Sequence, residues 1–265
     1  MSTKPLSIIT ITLNNLSGLT NTAASINAQT NKDFEWIIID GASTDGTTEF
    51  LKTTNATWQS APDGGIYDAM NKGIERATGS HLLFLNADDC LADKHTIQDI
   101  NTIIQSENPA LIYGDSREDE HYKPARPSAA ITTGLFTHHQ AIIYGRKALG
   151  DMRYNVNYTI AADYDLTARF LSALKSDSIH YINKPLCIFG SGGISQTHAT
   201  TGRREQYQIR KTLTLCSPLK NMLIYAAQTL LWNVRTIAPN LYWHLKSSGN
   251  TAPANAQNQT PPTRP

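Results

Sequence analysis

The sequence predicts an α/β domain with a mixed, mostly parallel central sheet flanked by helices, followed by a C-terminal helical extension. Three observations predict it. The strand-like runs 6–13, 34–40 and 81–85 are apolar at nearly every position, rather than alternating as a sheet with one wet face would. Segments with helical character separate them, the pattern of strands joined by crossovers. Acids close the runs: Asp40 ends the second, and Asp88 and Asp89 follow the third. In sheets covered on both faces, ligands gather beyond the carboxyl ends of the strands, where Asp40 and Asp88 fall.

The elements follow in order. Residues 6–13 are β-branched and read as the first strand, 17–29 as a helix, and 34–40 as the second strand. Helices are expected over 46–52 and over 66–77, where Ile66, Met70 and Ile74 recur at fourfold spacing on one face. After the strand 81–85 come a helix at 94–105, a strand at 110–114 and a Pro-rich stretch at 122–127. A helix at 161–174, strand-like runs at 179–182 and 186–189, a glycine-rich loop at 190–193 with the character of a lid, and a helix at 200–216 complete the domain, 1–215. Residues 216–248 form the extension, with an amphipathic helix over 219–235 whose Leu, Trp and basic content suits a membrane surface, core packing or dimerisation. Residues 249–265, dense in Pro, Thr, Asn and Gln, are expected to be a disordered tail.

Composition narrows the function. A chain of 265 residues with 40% hydrophobic content can bury a full core. A net charge of +1 with dispersed basic residues argues against nucleic acid as a partner, because phosphate backbones demand clustered Lys and Arg. Three widely spaced cysteines give neither a disulfide framework nor a thiolate zinc site, and the N-terminal residues lack the features of a signal peptide. A cytoplasmic location is expected.

Asn86-Ala-Asp88-Asp89 follows a rigid strand, and hard carboxylate oxygens there suit Mn2+ or Mg2+ bridging the phosphates of a nucleotide. The same acids also suit a turn that opens the following helix. Asp40-Gly-Ala-Ser-Thr-Asp-Gly46 places acceptor oxygens beside that site, with Asp40 able to accept from a base or ribose and Asp45 suited to cap the next helix. Asp163 and Asp165 stand near a helix N-terminus, where the macrodipole alone would favour acids.

These segments resemble the family 2 glycosyltransferases with the Rossmann-like GT-A fold, especially bacterial members that build exopolysaccharide, colanic-acid-like or O-antigen repeat units. Ser7-Ile-Ile-Thr-Ile-Thr-Leu13-Asn14 is similar to the family's first nucleotide-binding strand, and Asp40-Gly-Ala-Ser-Thr-Asp-Gly46 to its DGSTDGT turn. Asp63-Gly-Gly-Ile-Tyr-Asp-Ala-Met-Asn71-Lys72-Gly73 resembles its GIYDAMNKG helix, and Leu85-Asn86-Ala87-Asp88-Asp89 its D-x-D region. The resemblance implies that Thr12 and Asp40 hold the nucleoside, that Asn14, Asp63, Asn71, Lys72 and Asn86 lie on the donor side, and that Asp88 binds metal and diphosphate. It makes Asp163 the general base and gives His139, in a His138-His139-Gln140 segment ahead of a strand, an acceptor contact. Two positions depart from the family: Asn86 replaces an Asp, and Ala162 replaces the Glu before the base.

The expected chemistry is an inverting transfer from a UDP-, GDP- or dTDP-linked sugar to a hydroxyl of a glycan or a polyprenyl-linked acceptor, with Mn2+ or Mg2+ on the leaving group. Such an acceptor would bring the protein to the cytoplasmic face of the inner membrane. A sugar-nucleotide-binding protein without transfer activity is the alternative that Asn86 and Ala162 keep open. A nucleotidyltransferase is disfavoured, because the loop after the first strand, Leu13-Asn-Asn-Leu-Ser-Gly18, holds no basic residue.

Overall fold

The computed structural model describes residues 4–118, 121–174, 178–190 and 197–238. The first half of the chain comprises β1 (Leu6–Thr12), α1 (Leu16–Asn27), β2 (Glu35–Asp40), α2 (Thr47–Leu51), β3 (Thr57–Ser60), α3 (Ile66–Arg76), β4 (His81–Phe84), β5 (Cys90–Leu91) and α4 (Thr96–Ser106). The second comprises β6 (Leu111–Glu118), β7 (His121–Lys123), β8 (Ile142–Gly145), α5 (Arg146–Leu149), α6 (Ala162–Ala173), β9 (Ile179–Phe189), α7 (Ala199–Thr212) and α8 (Pro218–Ile237).

One sheet holds the described strands in the order β3-β2-β1-β4-β8-β6-β9-β5, with β7 paired to β6. Strands β3, β2, β1 and β4 run parallel, and β9 is parallel to β6. Strand β8 enters antiparallel between β4 and β6, which makes the sheet mixed. The apolar strands work as their sequence demands: successive side chains point to opposite faces, and both faces are covered. Ile8, Ile38 and Leu83 pack with Leu19 and Ile26 of α1 and Ile97 and Ile100 of α4. Their neighbours Ile9, Ile37 and Phe84 pack with Met70 and Ile74 of α3 and Phe170 of α6. Helix α3 lies so close to β1 that a Cβ at Gly73 would stand 2.4 Å from Ile9 Cγ2, so only glycine suits that position of the helix.

Three features were not visible in the sequence. Strand β3, Thr57-Trp-Gln-Ser60, lies at the sheet edge and carries too little apolar alternation to announce itself. Strand β9 is continuous where Asn183-Lys-Pro185 suggested a break, because the sheet absorbs Pro185 in an irregularity opposite Asp115. His139 sits ahead of a strand as expected, but in a 3-10 turn, His139–Ala141, that the residues did not announce.

Helix α8 starts where Ser217 Oγ accepts from the Lys220 amide at 3.4 Å and Pro218 takes the first helical position. It is tied to the body by Arg210 of α7, which is 0% exposed and donates from Nε to Asn221 Oδ1 at 2.6 Å. Gln228 Nε2 adds a bond to the Thr133 carbonyl at 3.0 Å. Among the described residues no helix is long and apolar enough to cross a membrane. The end of the expected extension, the tail 249–265 and most of the glycine loop, 191–193, lie outside the described residues.

Candidate active site

The carboxyl ends of β1 and β4 open on a cleft of about 1580 Å³ whose wall includes Thr12, Asp63, Asn86, Asp88, His139 and Asp163. Six of the ten expected site residues thus meet on one surface. Asn14, Asp40, Asn71 and Lys72 are not on that wall, and each has a different employment.

Asp40 is 0% exposed. Its carboxylate accepts from the Ser43 amide at 3.1 Å, the Ser60 hydroxyl at 2.6 Å and the Ser43 hydroxyl. Ser43 Oγ in turn accepts from the Asn14 amide at 2.7 Å, and Asn14 Oδ1 accepts from the Thr44 amide at 2.8 Å. Asp40 and Asn14 therefore lock the loops after β2 and β1 to each other, with Asp40 beside Thr12, its register partner on the neighbouring strand. Asn71 grips the backbone of Tyr154 from both sides, donating to its carbonyl at 3.0 Å and accepting from its amide at 2.9 Å. Lys72 pairs with Asp68 at 2.8 Å. These two motif residues hold α3 and the 150s segment rather than the cleft surface.

The end of the cleft formed by Thr12 and Asn86 is polar and incompletely satisfied. Thr12 Oγ1 and Asn86 Oδ1 are buried without a hydrogen-bond partner among the described residues. A buried polar group left unpaired is costly, and a bound molecule or water reaching these two atoms would relieve that cost. Asp63 leans over the loop after β2: a Cβ at Gly41 would stand 2.9 Å from its Oδ2, while its Oδ1 accepts from the Gly65 amide at 2.8 Å.

Asp88 adopts φ +82°, a left-handed conformation uncommon for a non-glycine residue. Its amide is held by the Gly18 carbonyl and Thr22 Oγ1, both at 3.0 Å, which over-determines the turn. Asn21 Nδ2 donates to Asp88 Oδ1 at 3.2 Å. Its neighbour Asp89 is spent internally, accepting from Gln140 Nε2 at 2.7 Å and from the Gly190 amide at 3.2 Å, and burial pushes its carboxyl up to about 7. Both acids line the cleft, but both Asp89 oxygens are taken up by Gln140 and Gly190, whereas of the Asp88 oxygens Oδ1 accepts from Asn21.

The described residues hold no cluster of three or more His, Cys, Asp or Glu suited to a metal. A divalent cation shared with a diphosphate needs only one or two protein carboxylates, the phosphates and water completing its shell. Asp88, with the unpartnered Asn86 Oδ1 two residues before it on the same turn, fits such a cation.

Asp163 sits in the first turn of α6, with Oδ1 accepting from the Tyr164 amide at 2.7 Å. Burial raises its carboxyl to about 6, with the charge of Glu205 adding to the rise and the Tyr164 amide and Tyr67 hydroxyl opposing it. Two residues that the sequence reading passed over shape this environment. Tyr67, within the quoted α3 motif, donates from its hydroxyl to the Ile160 carbonyl at 2.6 Å. Glu205 of α7 accepts four hydrogen bonds from the loop entering α6: the Thr159 amide and hydroxyl at 2.8 and 2.9 Å, and the Ile160 and Ala161 amides at 2.9 and 2.8 Å. These donors lie in the loop before the first helical residue, Ala162, where no helical carbonyl meets them, and a carboxylate from another helix does so. Changing Glu205 to Gln is expected to move the acid limb of the activity profile below pH 6 and to lower turnover by about tenfold as the loop loosens. A pH–rate profile of the variant checks both effects.

The two histidines are aromatic core. His139 is 5% exposed, stacks on Phe84 at 5.2 Å and shares Nε2 with the Tyr154 hydroxyl at 2.8 Å. Burial lowers it to about 4, so it is a neutral positioning group at pH 7. His138 packs on Phe189 at 4.7 Å and is likewise held well below its usual range by burial. His198 precedes α7 as an exposed residue.

Residues 7–157 match the model of Glycosyl transferase family 2, and the chain belongs to that family. It is a glycosyltransferase with the GT-A fold. A "PGL/p-HBAD biosynthesis glycosyltransferase" of Mycobacterium tuberculosis is 34% identical over 210 residues, which cover 74% of this chain and 81% of the relative. Among solved structures, Staphylococcus aureus TarS 1-349 in complex with UDP-GlcNAc superposes with a TM-score of 0.67 at 17% identity, covering 92% of this chain and 80% of the other. The Pyrobaculum calidifontis mannosyltransferase PcManGT in complex with GDP-Man and Mn2+ gives 0.61 at 15% identity, covering 97% and 76%. At these identities the solved structures speak for the fold.

Proposed function

We propose that this glycosyltransferase is metal-dependent and inverting, moving one sugar from a nucleotide-diphosphate sugar to a hydroxyl of a growing glycan or lipid-linked acceptor. The observation that carries the reading is the presence of Asp88 and Asp163, from distant parts of the chain, on one cleft wall. Thr12 Oγ1 and Asn86 Oδ1 offer unsatisfied atoms to the donor on the Asp88 side. Mn2+ or Mg2+, held by Asp88 with Asn86, would neutralise the leaving nucleoside diphosphate. Asp163 takes the proton of the acceptor hydroxyl, and that oxygen bonds to the anomeric carbon as the bond to the diphosphate oxygen breaks. A carboxyl near 6 is ionised at pH 7 yet more basic than an ordinary aspartate, which suits a general base. One base and one stabilised leaving group suffice for a single displacement, and a single displacement inverts the anomeric configuration.

The reading places the protein at the cytoplasmic face of a membrane when its acceptor is lipid-linked. Leu219, Met222, Leu223 and Leu230 of α8, all more than half exposed, support that placement. A thermal-shift series with UDP-, GDP- and dTDP-sugars, with and without Mn2+, tests the donor assignment. One nucleotide class should stabilise the protein, and more strongly with the metal, by about 2.7 kcal/mol at a hundredfold excess over its dissociation constant. No stabilisation by any of the three classes would contradict it.

A further inference from the structure

The cations on the cleft wall are gathered toward one side, where Glu118 and Asp163 are the acids among them. Asp63, Asp68 and Asp88 occupy the donor side, whereas the Lys and Arg residues on the wall, Lys123, Arg126, Arg203 and Arg235, come from β7, the loop after it, α7 and α8. These cations are not equivalent. Arg126 builds its own loop, donating to Thr133 Oγ1 at 2.6 Å and to the Leu135 carbonyl at 2.7 Å. Arg235 is bonded to the buried carboxylate of Glu118. Arg203 donates from Nη2 to the Thr200 hydroxyl at 3.1 Å, and its Nε is buried without a hydrogen-bond partner among the described residues. The nearest acid on its own helix, Glu205, has both oxygens occupied by the 159–161 loop.

Arg203 and Arg235 also converge on one ring. Their guanidinium carbons lie 5.5 and 5.7 Å from the centroid of Trp232. Each gains from the face of an indole, but two like charges beside one ring repel, and a partly enclosed cleft screens that repulsion poorly. Glu118 offsets one of the two charges. An anion entering the cleft would offset the other.

The position of this pair assigns it to the acceptor. Gly202 packs so tightly against the loop before the base that a Cβ there would stand 3.0 Å from Ile160 Cγ2, and Glu205 binds the same loop. Arg203 lies between these two contacts in α7, on the Asp163 side of the cleft. Ile224, Ala227 and Leu231 of α8 provide an apolar wall next to it.

We propose that Arg203, Arg235 and Trp232 form an oxyanion subsite that receives a phosphoryl or carboxyl group carried on an apolar portion of the acceptor. Calling the bound molecule an acceptor rests on the transferase reading above; the anion site itself does not. The planar guanidinium fork suits both anions, and a bond from a charged donor to an oxyanion is roughly twice as strong as a neutral one.

Calorimetric titration of the full chain tests this, in EDTA and without nucleotide so that metal-bridged diphosphate binding is silent. The probes are octyl phosphate, octanoate and octanol, each below its aggregation or solubility limit. At least one of the two anions should bind about tenfold or more tightly than octanol, and the tighter of the two identifies the acceptor's group. Arg203→Gln should lose that advantage while octanol binding stays unchanged, and Arg203→Lys, which keeps the charge without the fork, should fall between. Equal affinity for both anions and octanol, or an Arg203→Gln protein with circular dichroism and melting like the parent that keeps full anion affinity, would overturn the subsite. The donor series run on Arg203→Gln separates the two readings. Intact donor binding beside a lost anion preference supports the subsite, whereas an anion preference in a protein that binds no donor removes only the transferase role assigned to it.

Discussion

Replacing Asp163 by Asn is expected to reduce sugar transfer by about 10² to 10⁴-fold, the usual weight of a positioned general base. The substitution keeps the side-chain shape and the oxygen that accepts from the Tyr164 amide, so α6 should remain in place. What it removes is the proton acceptor. In the parent protein the carboxyl raised to about 6 must be ionised to work, so kcat/KM should fall as pH drops through about 6, rather than near 4 as for an ordinary aspartate. The residual activity of Asp163→Asn should lack that limb. Burial is the main cause of the raised value and is unchanged by Glu205→Gln, so that variant should shift the limb only partway.

The second large effect is expected at Asp88. Alanine there removes the carboxylate but also places a residue poorly suited to φ +82°, so Asp88→Asn is the cleaner change, because Asn tolerates the left-handed region. Losing the charge should weaken metal-assisted donor binding by at least about 100-fold, equivalent to about 2.7 kcal/mol. Asn21 and the amide contacts to Gly18 and Thr22 keep the turn in place, so the melting temperature without ligand should change little. Donor titrations with and without Mn2+ check this, and the metal-dependent increment is the part that should disappear.

Much of this architecture is legible in the amino-acid order because the physics is local. A strand buried on both faces is mostly apolar, and β1, β2 and β4 are; an acid that follows such a strand stands out, and Asp88 does. Motif membership alone does not give a residue's task. Asp40 and Asn71 stand in segments that promise donor contacts, yet their hydrogen bonds go to neighbouring loops, a distinction set by partners brought in from elsewhere in the fold. Glu205 leaves no trace in the sequence, since its partners lie 44 to 46 residues upstream and an exposed-looking acid in a basic helix suggests only solvation. Helix α8 was readable as amphipathic, but not as a wall of the cleft, because side chains on a helix do not reveal which surface they meet.

The central claim is a division of labour within one cleft, with Asp88 gripping the donor and Asp163 activating the acceptor. Measuring the donor dissociation constant and the transfer rate side by side in Asp163→Asn tests it most directly. The account predicts a donor affinity within about twofold of the parent alongside a collapsed transfer rate. Donor affinity and transfer falling together, or transfer persisting at the parental rate, would contradict it.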